Sequence, residues 1–100
     1  MAELRDELAV SMGPIEMSDL RPHLTRDAVI VVDGSLDLLT VAEAVAKDDK
    51  ARVSEWITNA LIGKPSLDVL DRWSKTPAPV LVSVVVAPFV LVREEAQPLS

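Results

Sequence analysis

The longest uncharged apolar run of the chain is VLVSVVVAPFVLV, about 13 residues from Val80 to Val92. It is too short to cross a bilayer as a helix, which takes about 20 apolar residues. Its valines favour a strand, and since both faces are apolar, that strand is predicted to be buried on both sides or to have one face in an interface. Pro88 cannot donate to a ladder, which places it at a bulge or on an edge. We therefore expect a strand at about 80–92.

Four other segments carry helix signals, namely apolar residues at helical spacing, a polar residue at the start, or a glycine or proline at the end. The clearest helix has five apolar residues on one face, and Asp48 and Asp49 stand where its N-cap and first turn belong. This apolar stripe consists of Val53, Trp56, Ile57, Ala60 and Leu61. Trp56 and Trp73 both lie on apolar stripes, which indicates core packing rather than ligand stacking. The predicted helices are 3–12, 15–21, 49–62 and 66–75, the last capped by Ser66.

The segment between Val29 and Asp49 admits two interpretations. Val29 to Val32 is a β-branched run followed by Asp33-Gly34, which indicates a strand and a turn. Residues 36–47 form either a helix capped by Ser35 or a second strand. Alanine content favours the helix, whereas the turn and the helix start directly afterwards favour a hairpin. We predict a hairpin of 28–32 with 38–46, and keep the helix over 36–47 as the alternative.

Together these elements predict an α+β domain over residues 1–100. A small sheet of about three strands, the hairpin plus the C-terminal strand, would have helices packed on one face. The main alternative is a mostly helical domain with two strands. The segment 94–100, rich in polar residues, is predicted to be a disordered tail.

Charge and composition exclude several classes of function. The formal net charge is −6 and the pI is about 4.6, so the surface repels phosphate. Without a Lys/Arg cluster to offset this, binding to nucleic acid or to anionic membrane is disfavoured. The chain has no cysteine, which excludes disulfides and thiolate chemistry. Charged residues in Met1–Leu8 do not fit a signal peptide, and a cytoplasmic protein is expected.

His23 is the only histidine, and with Asp27 it is the weak candidate for a catalytic pair, a base held by an acid. Pro22 is expected to break the helix that would bring the two together. No serine lies in a nucleophile elbow, and there is no cysteine. We therefore predict no catalytic residue, with His23 on the surface or at a cap.

Four aspartates are weak candidates for a metal site, since carboxylates are the oxygen ligands that divalent cations take. The segment DGSLD lacks the EF-hand spacing, and LIGKPS fails as a phosphate loop because proline separates lysine from serine. The four aspartates, each explained as readily by a turn or a helix start, are Asp33, Asp37, Asp48 and Asp49. No metal site or cofactor is predicted.

Five stretches in one order, ELRDEL, LRPHLTRDAVIVVD, LDLLTVAEAVAKDD, VSEWI…LIGKPS and PFVLVREE, resemble a small bacterial family catalogued only as a domain of unknown function. The resemblance covers Glu3 to Glu95. Family members tend to alternate glycine and valine where this chain has Thr40 to Ala46, which supports the strand interpretation. The resemblance implies a bacterial, cytoplasmic protein and carries over no activity, cofactor or catalytic residue.

Two functional hypotheses follow. The first is a non-catalytic interaction or regulatory module that self-associates, because no set of nucleophile, base and orienting group is apparent. The second is a small-ligand or metal-binding protein, or a hydrolase-like enzyme, that uses His23 and nearby carboxylates. A homodimer is predicted, since helices on one face would leave the valines of 80–92 uncovered on the other.

Overall fold

A computed structural model describes residues 3–75 and 80–95. Within these residues five helices and five strands form an α+β fold, so the predicted class is confirmed and the expectation of about three strands is wrong. The elements are α1 (Glu3–Ser11), β1 (Gly13–Ile15), α2 (Met17–Thr25), β2 (Val29–Val32), α3 (Leu38–Ala46), α4 (Lys50–Thr58), β3 (Ile62–Gly63), α5 (Leu67–Ser74), β4 (Leu81–Val86) and β5 (Phe89–Glu94).

The strands form one mixed sheet in the order β1-β4-β5-β2-β3. β4 and β5 are an antiparallel hairpin, and β5 also pairs with β2 in parallel, with Leu91 opposite Ile30. The prediction of a single strand at 80–92 is therefore wrong. The segment is two strands, separated by a turn at Ala87-Pro88, where the missing N–H of proline costs no ladder bond.

Residues 38–46 form helix α3 rather than the predicted second strand of a hairpin, so the alternative interpretation is the correct one. The cap is Asp37 instead of Ser35: its carboxylate accepts hydrogen bonds from the N–H of Thr40 at 3.0 Å and from the Thr40 hydroxyl at 2.8 Å. The strand that pairs with Val31 and Val32 on this side is β3, from residues far along the chain.

Helices cover both faces of the sheet, which corrects the prediction of a single covered face. One face packs on α1, α3 and α4 around a core that includes Leu8, Val41, Val84 and Leu91. The other packs on α2 and α5 around Leu20, Val29, Trp73 and Val90. No strand face of β4 and β5 is left uncovered as a whole, because consecutive residues of the hairpin enter opposite cores.

Three helices end in the same way, with a residue in the left-handed conformation. These residues are Asp27 after α2, Asp48 after α3 and Ala60 after α4, with φ angles of 58°, 57° and 59°. After α4 the Leu61 N–H donates to the Trp56 carbonyl and the Ala60 N–H to the Ile57 carbonyl, the Schellman pattern. The helix predicted to reach residue 62 therefore ends at Thr58, and Gly63 lies in β3.

The N-terminal elements are close to the prediction. α1 ends one residue before the expected 12, and the predicted helix 15–21 is displaced to 17–25. Pro14 belongs to the short edge strand β1, and Pro22 lies inside α2 instead of ending it. None of the described helices has the length and apolar composition needed to cross a membrane.

The two tryptophans differ in burial. Trp73 of α5 is 1% exposed. Trp56 is half-buried on α4, a helix with no fully buried residue, and the Arg52 guanidinium lies 5.2 Å from its ring centre. At the C-terminus Glu94 ends β5 and the Glu95 N–H donates to the Val80 carbonyl. The rest of the tail predicted for 94–100 lies outside the described residues.

Candidate binding groove

His23 and Asp27 make their hydrogen bonds with other groups. His23 lies in the last turn of α2, and its Nδ1 is 2.5 Å from an Arg26 terminal nitrogen. Because arginine can only donate, this Nδ1 is the acceptor. The Asp27 carboxylate instead forms an ion pair with Lys64. An orienting contact between this histidine and this acid is therefore not part of the structure.

The four candidate aspartates each serve the backbone locally. Asp33 accepts from the Ser35 N–H at 2.9 Å, and Asp49 caps α4 by accepting from the Arg52 N–H at 3.3 Å. Asp37 caps α3, and Asp48 occupies the left-handed position after that helix. In the part of the chain that the structure describes, no three acidic, histidine or cysteine side chains are gathered in a way that would hold a metal ion.

Hydrogen bonds hold two of these carboxylates ionised. The hydroxyl and N–H of Ser35 lower the pKa of Asp33 below its usual value. Hydrogen bonds from Thr40 lower the pKa of Asp37 in spite of some burial, which acts in the opposite direction. The hydrogen bond and the positive charge of Arg5 lower this pKa further. The guanidinium of Arg5 also bonds Glu43 of α3 and so ties α1 to that helix.

A largely apolar groove lies between α4 and the sheet, and we call it the apolar groove. It encloses about 380 Å³. Its apolar walls come from β2, α3, α4, β3 and β5, and most of them are the outer side of the core formed by α1, α3 and α4 with the sheet. The apolar side chains of these walls are Ile30, Val45, Val53, Ile57, Ile62 and Phe89.

Charged side chains surround the apolar groove, and most are engaged. Asp49 caps α4, Lys64 pairs with Asp27, and the Lys50 ammonium is 3.8 Å from Asp48. No cluster of polar atoms therefore converges on the apolar floor from these residues. Such a site can hold an apolar side chain or ligand at the floor and orient charges at its rim, but it presents no assembled acid, base and nucleophile.

Two residues of the groove were assigned otherwise from the sequence. Ile57 was placed in the core stripe, yet it is 56% exposed, and Phe89 was placed within a buried strand, yet it is 37% exposed. No spacing in the sequence marks this difference, because the apolar stripe of 53–61 contains the exposed Ile57 beside Val53 and Trp56, which pack against the core. An apolar excess on a peripheral helix indicates a binding surface.

The family model described as "Protein of unknown function (DUF2288)" matches residues 3–94. The chain is also similar to a solved structure, the NMR solution structure of PA1075 from Pseudomonas aeruginosa. That protein is 35% identical, with a TM-score of 0.79, over 97% of this chain and 89% of the other. No curated protein matches. The predicted resemblance to an uncharacterised bacterial family is thus confirmed.

Proposed function

Because the chain belongs to the DUF2288 family, whose description assigns no activity, we propose a function from the structure itself: a non-catalytic interaction module that self-associates and takes a partner in the apolar groove. The observation that carries the proposal is the groove, which has an apolar floor and a rim of charges already used in caps and ion pairs. Apolar surface of this kind favours association and supplies no reacting group.

Self-association is assigned to a second surface, which we call the tip patch. Val10, Met12 and Val85 are exposed by 87%, 42% and 49%. They are neighbours, since Val10 and Met12 flank Ser11, whose hydroxyl oxygen accepts a hydrogen bond of 3.3 Å from the Val85 N–H. Exposed Ala87 and Pro88 extend the patch across the turn of the β4–β5 hairpin.

The tip patch supports a homodimer on different grounds from those that the sequence suggested. The sequence suggested an uncovered face of the C-terminal strand, and the helices on both faces remove it. The hairpin nevertheless contributes exposed apolar residues at its turn. A two-fold contact needs one self-complementary surface, and a stable one buries roughly 800 Å² per subunit. The tip patch would form the centre of such a contact.

Sedimentation equilibrium at micromolar concentration tests this assignment. We expect twice the chain mass of 10.8 kDa for the wild type and the single mass for Val85→Lys. Leu67→Lys is the matched control, because Leu67 is 85% exposed and lies outside both surfaces, and it should remain a dimer. A wild-type mass near one chain overturns self-association, and a dimeric Val85→Lys variant overturns the role of the tip patch.

A second candidate is binding of a small apolar ligand, favoured by the size of the groove. Its volume of about 380 Å³ falls within the range of small-molecule sites, roughly 300–1,000 Å³. Anilinonaphthalene sulfonate is a suitable probe. Saturable fluorescence that is lost in Ile57→Lys and kept in Leu67→Lys supports this candidate, and equal signals from the two variants contradict it.

The cellular setting remains part of the proposal. The absence of cysteine and the net charge of −6 support a bacterial cytoplasmic protein that does not bind nucleic acid. The partner is therefore proposed to be a protein.

A further inference from the structure

The β3 edge of the sheet carries backbone groups that face away from the other strands. β3 is one of the two terminal strands and pairs only with β2 in the described residues. The Asp33 N–H donates to the Leu61 carbonyl at 2.8 Å. Successive residues of an antiparallel strand turn their N–H and C=O alternately toward the partner and away from it. The N–H and C=O of Ile62 therefore point outward, as those of Lys64 would if the strand continued.

Two grooves flank this edge on opposite faces of the sheet. The apolar groove lies on the face of Ile30 and α4. A second groove of about 380 Å³ lies on the face of Val31 and Val69, which pack in the other core. Both grooves reach Ile57 and the chain from Ile62 to Lys64. The second groove is open at Gly63, where an added Cβ would meet no atom within 4 Å.

An extended chain matches this arrangement, because its successive side chains point to opposite faces while its backbone bonds at the edge. We propose that β3 accepts an extended segment of a partner protein as a sixth strand, with alternate apolar side chains in the two grooves. This inference rests on the proposed function and names the form in which the partner binds. Main-chain hydrogen bonds would supply affinity, and the two grooves would supply selectivity.

The charges around the grooves indicate basic residues beside the apolar ones in that segment. Three carboxylates and two ammonium groups line the two grooves: Asp33, Asp48, Asp49, Lys50 and Lys64. Each ammonium group has a carboxylate partner, Asp27 for Lys64 and Asp48 for Lys50, so the charges of Asp33 and Asp49 are left in excess. The whole chain carries −6. Net negative potential at the rim accelerates the approach of a cationic segment.

The short edge also fits a reversible contact. β3 has two residues, and Pro65 follows shortly after it, so the number of main-chain bonds is small. Short edges that end in lysine and proline resist unspecific pairing. A bound segment must therefore fill the grooves with its side chains as well as form main-chain hydrogen bonds with β3. This requirement distinguishes specific strand addition from aggregation through the sheet edge.

The test is a titration of isotope-labelled full-length protein, followed by amide chemical shifts. The probe is the peptide acetyl-Lys-Lys-Val-Leu-Val-Thr-Lys-amide, and the charge control replaces its lysines with glutamate. Two further peptides carry N-methyl groups either on both valines or on leucine and threonine. We expect shifts at Ile62, Gly63 and Lys64, at least tenfold weaker binding of one N-methylated peptide, and no more than a twofold change for the other.

Each other outcome overturns the inference. Equal binding of both N-methylated peptides shows contact with the groove without strand pairing, and leaves the interaction function in place. Equal binding of the glutamate peptide contradicts the charge argument. No shift at about 2 mM peptide overturns strand addition, since even a Kd of about 1 mM would leave about two thirds of the protein bound at that concentration. Self-association is judged separately by sedimentation. Ile57→Lys should weaken binding tenfold or more, and Leu67→Lys should not.

Discussion

The indole Nε1 of Trp73 donates a hydrogen bond of 2.5 Å to Oε1 of Glu94, the last residue of β5. The same oxygen accepts from the Nε of Arg72 at 3.1 Å. Burial is the largest single influence and raises the pKa of Glu94, but the bonds from Arg72 and Trp73 and the Arg72 charge together outweigh it. The pKa of Glu94 is therefore lowered from its ordinary value of 4.5.

This lowered pKa predicts a pH-dependent contribution to stability. A carboxyl whose pKa is depressed by folding stabilises the folded state above its ordinary value of 4.5, and the contribution is lost as the pH falls through the folded pKa. We expect the difference in unfolding free energy between wild type and Glu94→Gln to be constant near neutral pH and to shrink below that value. Urea titrations across the acidic range measure it, and a difference that grows on acidification contradicts the assignment.

Trp73→Ala is expected to destabilise the fold by about 3–5 kcal/mol, the usual cost of emptying a large aromatic site in a core. Trp56→Ala should cost less, about 1–2 kcal/mol, because Trp56 is only half-buried on a peripheral helix. The sequence placed both tryptophans in the core and so gave no reason for the two costs to differ. Denaturant midpoints of the two variants, compared side by side, check the order, and a larger loss for Trp56→Ala would refute it.

Ala60→Gly is expected to stabilise the protein by about 0.5–1 kcal/mol. Ala60 has a φ of 59°, where an L-residue is strained by about 1–2 kcal/mol, and the gain is partly offset by the greater freedom of glycine in the unfolded chain. Ala9→Gly, at an exposed position inside α1, is the matched control and should destabilise by about 1 kcal/mol. Thermal unfolding should give shifts of opposite sign.

Asp37→Ala should destabilise by about 1 kcal/mol, because it removes the N-cap of α3 together with the contact to Arg5. Asp37→Asn keeps a capping oxygen and loses only the charge, so its cost should be clearly smaller. Equal losses in the two variants would indicate that the ion pair, rather than the cap, supports the helix. Chemical denaturation at neutral pH distinguishes the two.

Local patterns predicted most helices, and they failed at the junction of α3 and α4. The strand prediction for 38–46 assumed that a helix ending near Lys47 could not be followed directly by a new helix at Asp48. In the structure one residue separates the C-cap of the first helix from the N-cap of the second. Asp48 adopts a φ of 57°, and the next residue, Asp49, caps α4. Aspartate tolerates this conformation better than most residues, but no spacing rule marks which aspartate adopts it.

The pairing of the strands was beyond local patterns for a different reason. Burial of Val80 to Val92 on both faces was one of two interpretations of the sequence, and the prediction of helices on a single face did not adopt it. The turn at Ala87-Pro88 depends on β4 and β5 packing between two layers of helices. The groove has the same origin. Ile57 and Phe89 lie 32 positions apart in the sequence, and only the tertiary fold brings them to one surface.

The position of β5 also determines when the molecule can fold during synthesis. The last strand lies between β4 and β2, and it bonds a strand some 60 residues earlier, Val29 opposite Val90. Until the residues of β5 have left the ribosome, β2 has no neighbour on that side and Val29 remains exposed to solvent. Pairings across such separations slow folding relative to helical bundles of the same size. A nascent chain of this protein therefore depends on the β4–β5 hairpin, and termination before residue 89 would remove the strand that joins the pair β1–β4 to the pair β2–β3.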